Sequence, residues 1–154
     1  MARKSSNATS SAEAAQLEHA EQVCRELGVT FTPIRREVYQ LLCRHDRPVG
    51  AYELLDDLKA TRPRAAPVTV YRALDFLLEA GLAHRINKLN AFMACRGSDL
   101  AHSGLMLICS RCSTVIELED RKVENSIQRS AADLAFKTGD ELVEVVGTCS
   151  DCRG

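Results

Sequence analysis

The sequence predicts an α+β chain: an N-terminal winged helix-turn-helix domain followed by a small C-terminal α/β domain stapled by four cysteines. Three observations carry that prediction. Helical apolar patterns in the first eighty residues give way to two short strands around a polar turn, the element order of a winged helix. A polar, turn-like stretch at 96–104 then interrupts the pattern. Beyond it lie strand-length apolar runs and two Cys-x-x-Cys pairs, Cys109-Ser-Arg-Cys112 and Cys149-Ser-Asp-Cys152.

Taken in order, residues 1–10 read as a flexible tail rich in Ser, Asn and Ala. From Ser11 to Leu27 the positions Leu17, Ala20, Val23, Cys24 and Leu27 recur at helical spacing, and Gly28 is a stop. Thr32 as N-cap and Pro33 at the first helical position open a second helix, with Ile34, Val38, Leu41 and Leu42 inward and Arg35, Arg36 and Arg44 on its polar face. A third helix spans about Ala51 to Lys59, with Leu54, Leu55 and Leu58 inward. A fourth runs from about Val68 to Ala80 and ends at Gly81. Leu82–Ile86 and Ala91–Ala94 are strands around the turn Asn87-Lys88-Leu89-Asn90. The expected domains are therefore a winged helix over 11–95, a hinge over 96–104 and a second domain over 105–154. In that domain Leu105–Cys109 and Thr114–Leu118 are strands, Asp120–Lys137 is a helix and Glu141–Val146 is a third strand. So thin an α/β unit should share its strands and apolar helix face with a second copy.

Size and composition set limits. A chain of 154 residues with 45% apolar content is an ordinary globular protein, with one domain or two small ones. No apolar run approaches the roughly 18 residues a membrane span needs. The polar N-terminus lacks the apolar region of a secretory signal, so a cytoplasmic location is expected. Net charge is −1, but residues 1–90 sum to +2 and residues 91–154 to −3. A mildly basic first half suits a nucleic-acid module.

In a reducing compartment, seven cysteines suggest metal ligands more than disulfides. Each Cys-x-x-Cys pair holds two thiolates on a tight knuckle, and two knuckles make a four-sulfur zinc site. The 36 residues between the pairs, Ser113–Thr148, have room for a strand, a helix and another strand. Further potential ligands straddle the expected hinge: His84 in the wing, Cys95 just after it, His102 in the hinge and Glu117 in the strand after the first knuckle. One thiolate, two imidazoles and a carboxylate can complete a tetrahedral zinc site, and the soft thiolate favours zinc over manganese or iron. Read singly, each is equally an ordinary surface or core residue. On the fourth helix, inward Val70, Ala73, Leu74 and Leu77 leave Thr69, Tyr71 and Arg72 displayed, either toward DNA or merely toward solvent. Cys24 and Cys43 lie on apolar faces as core cysteines, and His19 and His45 face solvent.

The chain resembles the ferric uptake regulator superfamily, and within it the zinc-sensing branch. The resemblance rests on 27–35 (Leu-Gly-Val-Thr-Phe-Thr-Pro-Ile-Arg), 51–55 (Ala-Tyr-Glu-Leu-Leu), 69–77 (Thr-Val-Tyr-Arg-Ala-Leu-Asp-Phe-Leu) and both knuckles. It implies a homodimer and metal-activated repression of uptake genes at AT-rich palindromic operators. It implies two Zn2+ per subunit, a structural ion on Cys109, Cys112, Cys149 and Cys152 and a regulatory ion on His84, Cys95, His102 and Glu117. Base-contacting residues fall on Tyr52 and Arg72, with Tyr71 a further candidate. Two dimers can share one operator through salt bridges, for which Asp56 or Asp57 and Lys59 are counterparts. The iron-sensing branch carries a His-rich run before its first knuckle, where this chain has the single His102. That disfavours sensing of iron, manganese or peroxide.

Two readings from other classes compete. A zinc nucleobase deaminase needs His-x-Glu, a Pro before its Cys pair and an open coordination position. The only His-x-Glu here is His19-Ala20-Glu21, and Ile108 and Thr148 precede the knuckles. An enzyme is therefore not expected. A redox switch of the four knuckle thiols is the other rival.

Overall fold

The computed structural model describes residues 6–95, 104–139 and 142–154. It divides into two compact units, residues 1–96 and 97–154.

The first unit opens with helix α1, Ser6–Leu27. It begins five residues ahead of the predicted Ser11, inside the stretch read as a flexible tail. Its first turn, Ser6-Asn7-Ala8-Thr9-Ser10, carries no apolar stripe, so periodicity does not announce it. Gly28, at φ +67°, ends it with Val29 N–H on the Cys24 carbonyl at 3.0 Å, a left-handed cap that glycine adopts without strain. Helix α2, Pro33–Arg44, starts at Thr32, whose hydroxyl oxygen accepts from Arg35 N–H at 3.5 Å. Helices α3, Ala51–Lys59, and α4, Pro67–Glu79, follow. Strands β1, Ala83–Ile86, and β2, Ala91–Ala94, pair antiparallel around a 3-10 turn at Asn87–Leu89. Val49 and Phe92 exchange both backbone hydrogen bonds at 2.8 Å, tying the α2–α3 connection to this wing.

One core joins these elements: Val23, Val38, Tyr39, Leu42, Leu54, Leu58, Leu74 and Leu77 are all fully or nearly fully buried. Beside it, Arg35 lies 3.8 Å over the Phe76 ring and donates to the Thr30 carbonyl at 2.6 Å. Arg36 sits over Phe31 and pairs with Glu21. The polar face predicted for α2 is thus half-buried: two arginines spread their planar groups on aromatic rings. Tyr39, not counted inward from periodicity, is 1% exposed, and burial pushes its phenol above the ordinary range. His45 also departs from expectation. Its Nε2 lies 2.8 Å from Asp57 Oδ2, so it links the end of α2 to α3 instead of facing solvent. Cys24 is buried as predicted, whereas Cys43 is half-buried.

The second unit is a three-stranded sheet in the order β4-β3-β5. Strand β3, Gly104–Cys109, pairs antiparallel with β4, Val115–Leu118, and parallel with β5, Leu142–Gly147. Helix α5, Arg121–Asp133, supplies the crossover. It stops four residues before the predicted Lys137. Ala135 takes a left-handed φ of +54°, and Phe136 N–H bonds the Ala131 carbonyl at 2.9 Å, closing the helix end. Leu134, on the apolar face of this helix that should be shared with a second copy, is 81% exposed, and Phe136, Ile116, Val145 and Val146 are exposed with it. Among the described residues no helix is long and apolar enough to cross a membrane.

Candidate metal centre and nucleic-acid face

The sheet of the second unit brings the knuckles together. Antiparallel pairing of β3 and β4 folds Cys109–Thr114 into a tight turn, with Cys109 N–H on the Thr114 carbonyl at 2.9 Å and Ser113 N–H on the Cys109 carbonyl at 3.0 Å. Ser113 holds φ +59° to complete it. The parallel register places Gly147 beside Cys109, so β5 delivers the second knuckle onto the first. Ser110 secures the join: its N–H and its hydroxyl both donate to the Gly147 carbonyl, at 2.9 and 3.0 Å.

The result is one cluster in which the sulfurs of Cys109, Cys112, Cys149 and Cys152 lie within 4.8 Å of each other. Cys112 Sγ and Cys149 Sγ are 3.7 Å apart. Zinc–sulfur bonds of about 2.3 Å put the corners of a sulfur tetrahedron about 3.8 Å apart. The donor set therefore fits tetrahedral zinc in number, element and spacing. It is too open for a disulfide, whose sulfurs sit about 2.05 Å apart.

The surroundings favour thiolate. Cys149 N–H points at Cys109 Sγ at 3.4 Å, and this amide with those of Cys112 and Arg111 pulls the Cys109 thiol down to about 6. Thr114, whose hydroxyl oxygen is 3.1 Å from Cys112 Sγ, lowers the Cys112 thiol. Hydrogen bonds with Cys149 and Cys112 push Cys152 up to about 12, because four crowded sulfurs cannot all ionise without a cation among them. Thr114 was not singled out in the sequence, since a lone threonine after a knuckle carries no distinctive signal.

Of the other predicted ligands, two belong to the first unit. Continuing the β1–β2 register by one puts Cys95 opposite Leu82, with Cys95 N–H on the Leu82 carbonyl at 2.9 Å. His84 shares the face of Leu82 by strand alternation. Its imidazole and the Cys95 thiol accordingly lie within 4.8 Å of each other. Glu117 is in the second unit, on β4 opposite Met106. His102 lies outside the described residues.

The α4 face of the first unit is divided as its periodicity requires. Val70, Ala73, Leu74 and Leu77 are buried, while Tyr71 and Arg72 are exposed. Thr69 is only half-exposed, and the neighbouring Val68 is the more open side chain. Tyr52, second residue of α3, is 65% exposed. Large aromatics in water at the start of two adjacent helices suit contact with a partner better than with solvent.

Comparison with known proteins agrees with this architecture. The family model described as the Ferric uptake regulator family matches residues 26–146. The chain is 39% identical over 137 residues to the zinc uptake regulation protein of Escherichia coli (strain K12), covering 88% of this chain and 80% of that one. A zinc uptake regulator solved in complex with zinc and DNA superposes with a TM-score of 0.84 at 38% identity, covering 91% of this chain and 94% of that one. The crystal structure of holo XcZur gives 0.79 at 42% identity, covering 90% and 96%. With a winged helix, a four-cysteine cluster and a family match over most of its length, this chain belongs to the ferric uptake regulator family.

Proposed function

We propose that this chain is a zinc-responsive transcriptional repressor of zinc uptake genes, acting in the cytoplasm as a homodimer on AT-rich palindromic operator DNA. The single observation that carries the reading is the 39% identity to a zinc uptake regulation protein over 88% of the chain, joined to a cysteine cluster of zinc geometry. Members of this family regulate transcription and are not enzymes. The exposed Tyr52, Tyr71 and Arg72, with Thr69, form the DNA-reading set, for which outward display on α3 and α4 is the support.

Two zinc ions per subunit complete the reading. Cys109, Cys112, Cys149 and Cys152 hold the structural ion. His84, Cys95, His102 and Glu117 hold the regulatory one, a set supported by ligand type and by the adjacency of His84 and Cys95 in the wing. When bound, each ion supplies a divalent charge that draws four ligands to one centre. Residues 96–104 act as the hinge. Ligands on either side of it let the wing respond to metal, and two recognition helices then read half-sites about one helical turn, ~34–36 Å, apart. Linkage makes operator DNA tighten the regulatory site by the same factor, typically ~1–3 kcal/mol.

Operator binding measured across a buffered Zn2+ series, with Fe2+ and Mn2+ as controls, tests this. Binding should rise with Zn2+ at concentrations where the other two ions have no effect. Cys95→Ser should lose the zinc dependence and keep the fold. Unchanged zinc dependence in that variant would refute the sensor assignment.

A further inference from the structure

We propose that Arg111 is a positioning residue for the four-cysteine centre: its guanidinium clasps the second knuckle to the first and slows the loss of the metal. The proposal rests on the structural-zinc reading above. Arg111 is the third residue of the first knuckle, and its Nη1 donates to the carbonyl oxygen of Cys152 at 2.7 Å. A guanidinium on a carbonyl is a charge-assisted bond, and here the acceptor is the main chain of a ligand residue.

The second knuckle has few other restraints. Strand pairing ends at Gly147. Past it, Cys149–Cys152 turns in a short 3-10 element without a side-chain cap, held by Cys152 N–H on the Cys149 carbonyl at 3.1 Å. Besides contacts among the ligand sulfurs, the bonds that join it to the first knuckle among the described residues are Cys149 N–H to Cys109 Sγ and the Arg111 clasp. Charge points the same way. Four thiolates around a divalent ion leave two net negative charges, and Asp151 on the same turn adds another. The Ser150 hydroxyl bonds Asp151 at 3.3 Å without cancelling its charge, and Arg111 carries the positive charge that reaches this turn from the first knuckle. Without it, Cys152 can swing off the ion, and dissociation starts there.

The test challenges the zinc-loaded full chain with a chromogenic chelator and follows release from wild type, Arg111→Gln, Arg111→Lys and Cys112→Ser. Loss of an outer-shell partner typically costs 10–100-fold in metal affinity, so R111Q should release one zinc per chain about tenfold faster or more. R111K should fall between, keeping the charge and a donor but not the forked reach. Helix content should match wild type at the start in both. Release from R111Q within twofold of wild type overturns the proposal. If R111Q yields no folded protein, R111K decides: faster release than wild type supports the clasp, and equal release overturns it. Cys112→Ser should purify with one zinc fewer per chain. If it keeps the full complement, the four-cysteine reading fails and the proposal falls with it.

Discussion

Cys112→Ser asks how much of the second unit is held by metal instead of by core. Among its described residues, Leu105, Met106 and Ile108 are the buried apolar side chains besides the ligand Cys109. At about 1.5–3 kcal/mol each, they contribute roughly 5–9 kcal/mol. A structural zinc in a small domain is worth roughly 10–16 kcal/mol. The metal term is therefore at least as large as the core it staples. A serine at position 112 replaces a soft thiolate with a poor ligand and leaves three sulfurs. The second unit should lose protection in β3 and β5, while the first unit, with its own continuous core, stays folded. Hydrogen exchange in zinc-buffered solution reads both in one experiment, with β3 amides compared against α4 amides. Chelator treatment of the wild type should reproduce the pattern. If β3 amides in Cys112→Ser remain as protected as in the zinc-loaded wild type, the sheet and its dimer partner suffice and the staple argument is wrong.

Further outcomes follow from the first unit. Arg35→Met keeps the aliphatic stem but removes the guanidinium over Phe76 and its bond to Thr30; at ~0.5–1 kcal/mol for the cation–π contact and ~0.5–1.5 for the hydrogen bond, urea unfolding should show a loss of about 1–2.5 kcal/mol. Leu58→Ala, at a fully buried site, should cost about 2–5 kcal/mol in the same measurement. Glu37 is partly desolvated, which raises its carboxyl, but the Thr61 hydroxyl and the Arg62 guanidinium, with Nε 2.5 Å from Oε2, outweigh this and hold it below its ordinary 4.5. A carboxyl depressed in the folded state stabilises above its unfolded value and loses that contribution as pH falls through the folded one. The gap in melting temperature between wild type and Glu37→Gln should thus be widest above pH 4.5 and close below it. Since the Arg62 side is half-exposed, the gap should reflect no more than about 1 kcal/mol.

The four-cysteine centre was readable because its chemistry is local: spacing within each knuckle is a property of four consecutive residues. What spacing could not show is why the two halves meet. That depends on the parallel pairing of β3 with β5, a contact between segments more than thirty residues apart that leaves no pattern in either strand. The helices of the first unit followed their periodicity, and their stops followed Gly28 and Gly81. Failures came where a residue did something its type rarely does. Ala135 adopts a left-handed conformation that usually marks glycine, so the end of α5 was set too late. Arg35 and Arg36 read as solvent-facing charges, yet aromatics from other segments flatten them against the core. His45 has no sequence neighbour that announces Asp57 as its partner. The proposed regulatory ligands are the hardest case, since His84, Cys95, His102 and Glu117 are each unremarkable alone and lie on four different segments of the sequence.

The disposition of charge in the first unit bears on how little net charge a DNA-binding unit needs. Its sum is only about +2 over residues 1–90, too small to attract a polyanion strongly by itself. The arginines are not equivalent, however. Arg36, Arg44, Arg47 and Arg62 are each matched to a glutamate, and Arg35 is turned over Phe76. Pairing neutralises the first four where they stand. Arg72, on the exposed side of α4, has no acidic partner among the described residues. Arg72 thereby leaves an uncompensated positive charge beside Tyr71 on this face. The consequence is measurable in salt titrations. Neutralising an already paired arginine such as Arg47 should leave the slope of log affinity against log salt unchanged, because that charge displaces no counterion. Arg72→Gln should weaken specific operator binding by ~1–3 kcal/mol per half-site if the guanidinium reads a base. A uniform loss on specific and random DNA, with the slope reduced by about one per contact, would instead make Arg72 a phosphate anchor and move base reading to Tyr52 and Tyr71.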